Sequence, residues 1–324
     1  MRKISAAAAI AASLALAAPP LVAQPQEFAP KQITIVVGFP AGGGTDIFAR
    51  LFAQKLSAAL GANVIVENRP GASSTIGAHV VARAPPNGQT LLFTSASLAL
   101  SKALYRTLPF DPQRDLAPIA MTARIPFVLV VHPSVPARSV KEFLALAKRK
   151  AGLLDYGTSG TGSAPHFAVE VLKLQAGIDI SHVPYKGAGP NTTAQLSGEV
   201  QVSMLIPPVS QPHMRSGRMR GLAVTTRERS SALPDLPSLH EAGIADYNVP
   251  QWHVMLAPGK TPAFIINRLN AEITKALAAP DLRQRLAAEG ADMGDGTPAE
   301  LAAQLASDIE VYTKFAQRLG LHLE

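Results

Sequence analysis

The chain has 324 residues, with 30 lysines and arginines against 23 acidic residues, and it contains no cysteine. The absence of cysteine excludes disulfides, thiolate metal sites and cysteine nucleophiles. A net charge of +7 could serve nucleic-acid binding, but the cations are scattered, and only one tryptophan and five tyrosines are available for stacking. We therefore expect no nucleic-acid partner, and the length suits two domains.

The N-terminus has the pattern of a secretory leader. Arg2 and Lys3 precede an apolar run that ends at Ala18, and the small residue Ala23 follows two prolines. This pattern predicts a signal peptide over residues 1–23 that is cleaved after Ala23. No later apolar run approaches the roughly 20 residues needed to cross a bilayer. We therefore expect the mature chain in the periplasm.

Strand-like runs alternate with helical patterns along the rest of the chain, which predicts an α/β fold. Apolar residues recur at three- and four-residue spacing over 48–60, and Gly61 is the predicted end of that helix. Ser139 and Glu142 form a capping box, and a Thr-Pro pair at 297–298 predicts the last helix start. The predicted strands are 33–39, 63–67, 90–94, 128–131, 181–185, 200–205, 222–225 and 254–257.

An apolar strand that runs into three glycines at 42–44, and then into a helix start, carries the strongest functional signal. Without side chains these glycines allow backbone N–H groups to approach a ligand closely, and the helix start near Thr45 adds about half a positive charge. Similar loops at 156–163 and 185–190 also lie between a strand-like run and a helix. Three such loops predict one binding site for a small acidic ligand at the carboxyl ends of strands.

The glycine run allows two other interpretations, a nucleotide site and a tight turn without a ligand. A dinucleotide fingerprint needs a third glycine where this chain has Ile47, and no Gly-Lys-Ser/Thr sequence follows any glycine run, which excludes a P-loop. Thr45 and Asp46 are also good helix-start residues. Either side chain could therefore cap its helix instead of contacting a ligand.

Polar residues in the second loop leave a catalytic interpretation open. Ser163 and His166 lie three apart, as a secreted hydrolase could use them, and His166 with Glu170 could form part of a metal site that lacks a third ligand. We expect neither an enzyme nor a cofactor or metal, with His166 donating a hydrogen bond to the ligand. Lys186 could supply charge or be solvated, and Trp252 could line a cleft, although core packing is favoured.

Six motifs in chain order resemble the Bug receptors, the substrate-binding proteins of tripartite tricarboxylate transporters. The resemblance covers nearly the whole mature chain. It implies a two-lobed periplasmic-binding-protein type II fold that closes on a small carboxylate and delivers it to membrane permease subunits. The motifs are FPAGGGTD at 39–46, VENRPG at 66–71, NGQTLL at 87–92, VPYKGAGP at 183–190, LAVTT at 222–226 and LAPGKTP at 256–262.

The resemblance also implies which residues bind the ligand. In this family backbone N–H groups and ordered waters hold much of the carboxylate, and water-mediated contacts are nearly as good as direct ones. This chain departs from the family at 164–165 and 204–206, where apolar residues replace polar ones and make the far end of the site more apolar. The implied residues are Gly42, Gly43, Thr45, Asp46 and Ser95 in the first lobe and Gly160, Thr161, Gly162, Ser163, His166, Lys186 and Gly187 in the second.

The chain is expected to cross between the lobes twice. Prolines flank the predicted strand at 128–131, and the stretch 227–237 is polar and turn-rich, which places the crossings near residues 126 and 225. Lobe I then comprises 24–125 and 226–324, and lobe II comprises 126–225. We expect a monomer that feeds a transporter, and the alternatives are a receptor for a membrane sensor and a secreted serine hydrolase. The ligand could be a dicarboxylate, a tricarboxylate, an aromatic acid or an amino acid.

Overall fold

The computed structural model describes residues 28–322, so the predicted signal peptide at 1–23 lies outside the described residues. The strands are β1 Gln32–Val37, β2 Asn63–Asn68, β3 Thr90–Ser95, β4 Leu116–Ile125, β5 Val128–Val131, β6 Asp155–Thr158, β7 Ser181–Pro184, β8 Val202–Leu205, β9 Arg220–Val224, β10 Gln251–Pro258 and β11 Asp292–Met293. The helices are α1 Gly44–Leu60, α2 Thr75–Ala82, α3 Ser97–Leu104, α4 Val140–Arg149, α5 Ala164–Ala176, α6 Ala188–Ser197, α7 Pro207–Arg215, α8 Ala263–Ala278, α9 Pro280–Ala288 and α10 Pro298–Leu319, with a short 3-10 helix at Ala72–Ser74.

The strands form two sheets, one in each lobe. The first has the order β11-β4-β10-β3-β1-β2, and the second has the order β7-β6-β8-β5-β9. β1 is parallel to β2 and β3, and β6 is parallel to β7 and β8. β10 is antiparallel to β3 and β4, and β5 is antiparallel to β8 and β9. The carboxyl ends of the parallel strands lie together at one edge of each sheet, and each strand leads into a helix.

All eight predicted strands are present, with ends shifted by at most a few residues, and 128–131 has the predicted bounds. The ten-residue strand β4 was not predicted. Its sequence contains Pro118, which has no N–H for a sheet ladder and argues against a central strand. In the structure Pro118 lies opposite Leu256 at a register shift, so a local irregularity accommodates the missing donor.

Helix ends follow the predicted residues with one difference. Gly61 ends α1 in the left-handed conformation with a φ of 60°. The predicted capping box of α4 is only half formed, because Ser139 accepts a hydrogen bond from the N–H of Glu142 while the Glu142 carboxylate accepts from Arg138. Among the described residues no helix is long and apolar enough to cross a membrane.

A continuous apolar core joins the two lobes. One face of the first sheet packs against α3 and α10, and this cluster continues into the interior of the second lobe. The rings of Phe167 in α5 and Tyr312 in α10 have their centroids 4.5 Å apart and meet edge to face. Trp252 belongs to the same core, where its Nε1 donates to Asp308, so it does not line the cleft.

The chain passes between the two sheets twice, from β4 to β5 and from β9 to β10. For the first passage we retain the predicted lobe boundary near residue 126. The chain after β9 stays with the second lobe, because Leu239 N–H donates to Val224 O at 2.9 Å and the Tyr247 hydroxyl donates to Ala168 O at 2.6 Å. We therefore propose that the second crossing lies just before Gln251, at the start of β10, and not near residue 225.

Candidate functional site

A cavity of about 950 Å³ lies between the two sheets. The first lobe contributes the loops that follow β1, β2 and β3, and the second lobe contributes the loops that follow β6, β7 and β8. Phe127 at the first crossing and Gln251 at the second complete the lining. This is the edge at which ligands of open α/β sheets bind, the carboxyl ends of the parallel strands.

Six helices begin at this cavity: α1, α2 and α3 from the first lobe and α5, α6 and α7 from the second. In the described part of the chain none of these six starts has a side-chain cap. Each helix start carries about half a positive charge, and the starts of α1, α5 and α6 leave backbone N–H donors without a partner in the described residues. Lys186 is the sole ionisable side chain among the described lining residues. The helix starts therefore make the cavity attractive to anions without an arginine.

The loop before α1 is held in place by a buried carboxylate. Asp46 accepts hydrogen bonds from the Gly42 N–H, from Arg50 and from Asn68, each at 2.9 Å. Burial would raise the pKa of the Asp46 carboxyl, but these hydrogen bonds outweigh burial and lower it. Gly44 and Thr45 are left without a partner for their N–H groups in the described residues. Asp46 thus braces the loop and is absent from the lining, in contrast to its predicted ligand contact.

A buried histidine supports Thr45 from the neighbouring strand. The Thr45 Oγ1 lies 3.0 Å from Nε2 of His253, and Nε2 of Gln251 lies 3.3 Å from the same ring nitrogen. Complete burial lowers the pKa of His253 to about 3, so its imidazole is neutral at physiological pH. His253 lies 208 residues from Thr45 in the sequence, and spacing alone gives no signal for this contact.

The loop before α5 is braced in a similar way. His166 Nδ1 accepts a hydrogen bond from the Gly162 N–H at 3.1 Å, and its ring stacks on His182 with centroids 4.1 Å apart. Burial, with the nearby charge of His182, lowers the pKa of His166 to about 4. His166 is absent from the cavity lining, and its Nδ1 supports the loop. Ser163 donates to Gly160 O at 2.7 Å, so its hydroxyl proton is also used inside the loop.

A strained segment closes the first-lobe side of the cavity. Ala72, Ser73 and Ser74 have φ values of 43°, 53° and 78°, which non-glycine residues rarely adopt. Ser74 packs directly over Gly38, where any β-carbon would collide with the Ser74 side chain. Such strain is common at ligand sites, where the surrounding structure holds the unusual conformation.

The structure brings seven of the twelve predicted residues to the cavity lining and leaves five out of it. The seven are Gly42, Gly43, Thr45, Ser95, Ser163, Lys186 and Gly187, and the five are Asp46, Gly160, Thr161, Gly162 and His166. The sequence did not indicate the lining residues Ser74, Ser97, Ser159, Asn191 and Gln251.

Asn191 is the most informative of the residues that sequence reasoning missed. It lies in the first turn of α6, only 1% exposed, and its Oδ1 accepts a hydrogen bond from Ser203. No protein group among the described residues accepts from its Nδ2 amide. A polar residue just after the 185–190 loop was the available signal.

The catalytic and metal interpretations lack the required geometry. Ser163 and His166 share no hydrogen bond, because the hydroxyl donates to Gly160 and the imidazole Nδ1 accepts from Gly162. A nucleophile needs its base within hydrogen-bond reach. Within residues 28–322, no group of three or more histidine or acidic side chains could hold a metal ion.

Comparison with known proteins identifies the family. The family model described as "Tripartite tricarboxylate transporter family receptor" matches residues 48–321. The chain belongs to this receptor family. Protein BugT of Bordetella pertussis is 33% identical to this receptor over 296 residues, which covers 91% of this chain and 91% of that protein. The resemblance to Bug receptors is thereby confirmed.

Solved structures agree with this assignment. The structure of R. palustris Rpa4515 with adipate superposes on this receptor with a TM-score of 0.82 and 34% identity, covering 90% of this chain and 98% of that chain. MatC from Rhodopseudomonas palustris with bound malate superposes with a TM-score of 0.78 and 30% identity, covering 88% of this chain and 98% of that chain. The two-lobed α/β fold is confirmed, and the protein is a substrate-binding receptor of a periplasmic family and not an enzyme.

Proposed function

We propose that this receptor captures a small carboxylate in the cleft between its lobes and delivers it to the membrane permease subunits of a tripartite tricarboxylate transporter. It would act in the periplasm as a monomer. The observation that carries the proposal is the ring of six uncapped helix starts around a cavity that no acidic side chain lines in the described structure. The adipate and malate bound by two similar receptors support the ligand class.

Donors for a carboxylate are available on both sides of the cleft. The first lobe offers the N–H groups of Gly44 and Thr45, and the second offers those of Ala164, Ala188 and Gly189, none of which has a partner in the described residues. A carboxylate accepts several such bonds at once, and charge-assisted hydrogen bonds are about twice as strong as neutral ones. A ligand that bridges both sets would hold the lobes together.

The proposed mechanism is closure of the lobes around the ligand. Ile206 of the second lobe already approaches the first, since its Cδ1 would lie 3.5 Å from a β-carbon on Gly44, and its side chain packs against the cores of both lobes. The short crossings before β5 and β10 are the segments that would absorb a hinge rotation. Closure would then report the bound state to the permease.

A thermal-shift comparison of acids with their uncharged analogues tests the carboxylate assignment. Hexanoate, adipate, benzoate and malate would each be compared with the methyl ester or amide. At about 100 times the dissociation constant, a bound acid should stabilise the fold by roughly 2.7 kcal/mol, while its ester should not. Equal shifts for acid and ester would contradict an anion site.

The compartment and the partner need separate measurements. We expect protein recovered from the periplasmic fraction to have an intact mass that lacks residues 1–23, and a mass that retains them would contradict the leader assignment. Ligand-dependent copurification with permease subunits would support the transporter role. Copurification with a sensor kinase instead would favour the alternative receptor role.

A further inference from the structure

The polarity of the cleft lining changes along the second sheet. In the order β7-β6-β8-β5, the loop after β7 starts α6, the loop after β6 starts α5, and the loop after β8 starts α7. The first of these loops contains Lys186 and leads to Asn191, and the second contains Ser159 and Ser163. The donors of the second lobe therefore lie toward one end of the cleft.

The start of α7, at the other end, offers no donor. Its first two residues, Pro207 and Pro208, have no N–H. The next two N–H groups, those of Val209 and Ser210, both donate to Ile206 O at 3.1 Å. α7 thus differs from α1, α5 and α6, which leave N–H groups free at the cavity. An anionic group at the start of α7 would gain no hydrogen bond from that helix to offset its lost hydration.

The side chains at this end are also apolar. Met204, Ile206 and Val209 line the cavity beside the start of α7. Phe127 joins them, because it directly precedes β5, and β5 runs antiparallel to β8 with Val128 opposite Leu205. We call the four side chains Phe127, Met204, Ile206 and Val209 the apolar wall.

The charge of the lining fits a single anionic group. Lys186 lies at the donor end, and the apolar wall contains no polar side chain. A ligand with several carboxylates spread over its length would have to bury one of them against the wall. The free energy cost of burying an unpaired carboxylate exceeds the gain from packing the rest of the ligand against apolar side chains.

We propose that the ligand is a carboxylate with an apolar body, an alkyl chain or an aromatic ring, whose uncharged end packs against the apolar wall. The inference rests on the proposed function and narrows its ligand class. Compact tricarboxylates such as citrate are then excluded. So are acids that carry a second carboxylate at the far end.

Matched acids that differ only at the far end test this inference. Calorimetric titration would compare hexanoate with adipate, and 4-methylbenzoate with terephthalate, with citrate as the tricarboxylate. We expect the methyl-ended acid of at least one pair to bind at least about tenfold more tightly than its dicarboxylate partner, and citrate not to bind. Failure of both methyl-ended acids to bind more tightly than their dicarboxylate partners, or binding of citrate, would overturn the inference while leaving the proposed function intact. Failure of every acid to bind would overturn both.

A substitution in the apolar wall gives an independent readout. Ile206→Ser should lower the affinity ratio of the methyl-ended acid to its dicarboxylate partner several-fold. The matched control is Ile65→Ser, which removes a 40% exposed isoleucine on β2 outside the cavity and should leave the ratio unchanged. The ratio is insensitive to a general loss of folded protein. An unchanged ratio in folded Ile206→Ser would show that the wall does not contact the ligand and would overturn the inference.

Discussion

The helices that begin at the cleft differ from two that begin elsewhere. α4 starts with Ser139 capping the N–H of Glu142, and α10 starts with a full capping box between Thr297 and Glu300. The six cleft helices have no side-chain cap in the described structure, while α8 and α9 outside the cleft also lack one. A cap contributes about 1 kcal/mol to stability. At the cleft this contribution is absent, and the backbone donors of α1, α5 and α6 remain available for a ligand.

The largest effect on ligand affinity is expected from placing an aspartate at the start of a cleft helix. Gly43 has φ −77° and ψ 164°, and a β-carbon there would meet only Pro40 O at 3.5 Å, so an aspartate fits as a cap. Gly43→Asp should weaken carboxylate binding by at least about 100-fold, because its carboxylate takes the α1 donors and repels the ligand. Calorimetry measures the loss, and circular dichroism checks the fold.

The matched control for that variant places the same charge at a capped helix. Ser139→Asp puts an aspartate at the start of α4, outside the cavity, and should leave the affinity unchanged. Equal losses in both variants would mean that net charge, and not the α1 start, controls binding. Normal binding by Gly43→Asp would show that the α1 donors do not hold the ligand.

The pH dependence of folding stability should distinguish the cleft loops, which buried histidines support, from the capped helix starts outside the cleft. His253 and His166 have pKa values lowered to about 3 and about 4 from 6.5, so the unfolded chain binds more protons than the folded chain between pH 6.5 and 4. Stability should therefore fall on acidification, by up to about 1.4 kcal/mol per pH unit for each histidine. The pKa of Asp46 is lowered from 3.8, so protonation of this carboxylate reduces stability only at lower pH.

Urea unfolding at pH 7, 6, 5 and 4.5 measures this slope. His253→Gln replaces a titrating ring with a neutral amide and should flatten the slope relative to the parent. Thr297→Ala, in the outer capping box, is the comparison between pH 7 and 6, where it should lower stability without altering the slope, because the Glu300 carboxyl, whose pKa the Thr297 hydrogen bonds lower, stays ionised there. A slope that is the same in the parent and His253→Gln would show that this histidine is not buried neutral.

Removing an outer cap should have a smaller effect, confined to stability. Thr297 Oγ1 accepts from the Glu300 N–H at 3.2 Å, and Glu300 accepts in return from the Thr297 N–H at 2.7 Å. Thr297→Ala should cost about 1 kcal/mol in unfolding free energy at pH 7 and leave ligand affinity unchanged. A change in affinity would mean that α10 takes part in the binding equilibrium.

The smallest effect is expected at the cleft's lysine. Lys186 is exposed, and an exposed charge contributes at most about 1 kcal/mol in water. Lys186→Met should therefore weaken carboxylate binding by no more than about fivefold, as measured by calorimetry in low salt. A loss as large as that of Gly43→Asp would assign the anion selectivity to this lysine and not to the helix starts.

Sequence reasoning predicted the α/β fold, the family and the loops of the site because glycine-rich strand-to-helix turns are local features. It did not separate ligand contacts from braces. Asp46 and His166 lie within a few residues of true lining positions, and spacing does not tell whether a first-turn side chain faces the cavity or folds back onto its own loop. His253 reaches Thr45 from β10, and no local pattern indicates such a contact.

The strand β10 has a consequence for the order of folding. It lies between β3 and β4 in the first sheet, so without it β1, β2 and β3 are separated from β4 and β11. The strands of the second sheet, β5 to β9, are consecutive in the chain. The first lobe closes its sheet only when a strand made more than 120 residues after β4 arrives. We expect loop-closure entropy to make that late pairing a slow step of folding, and the first sheet is complete only when β10 docks.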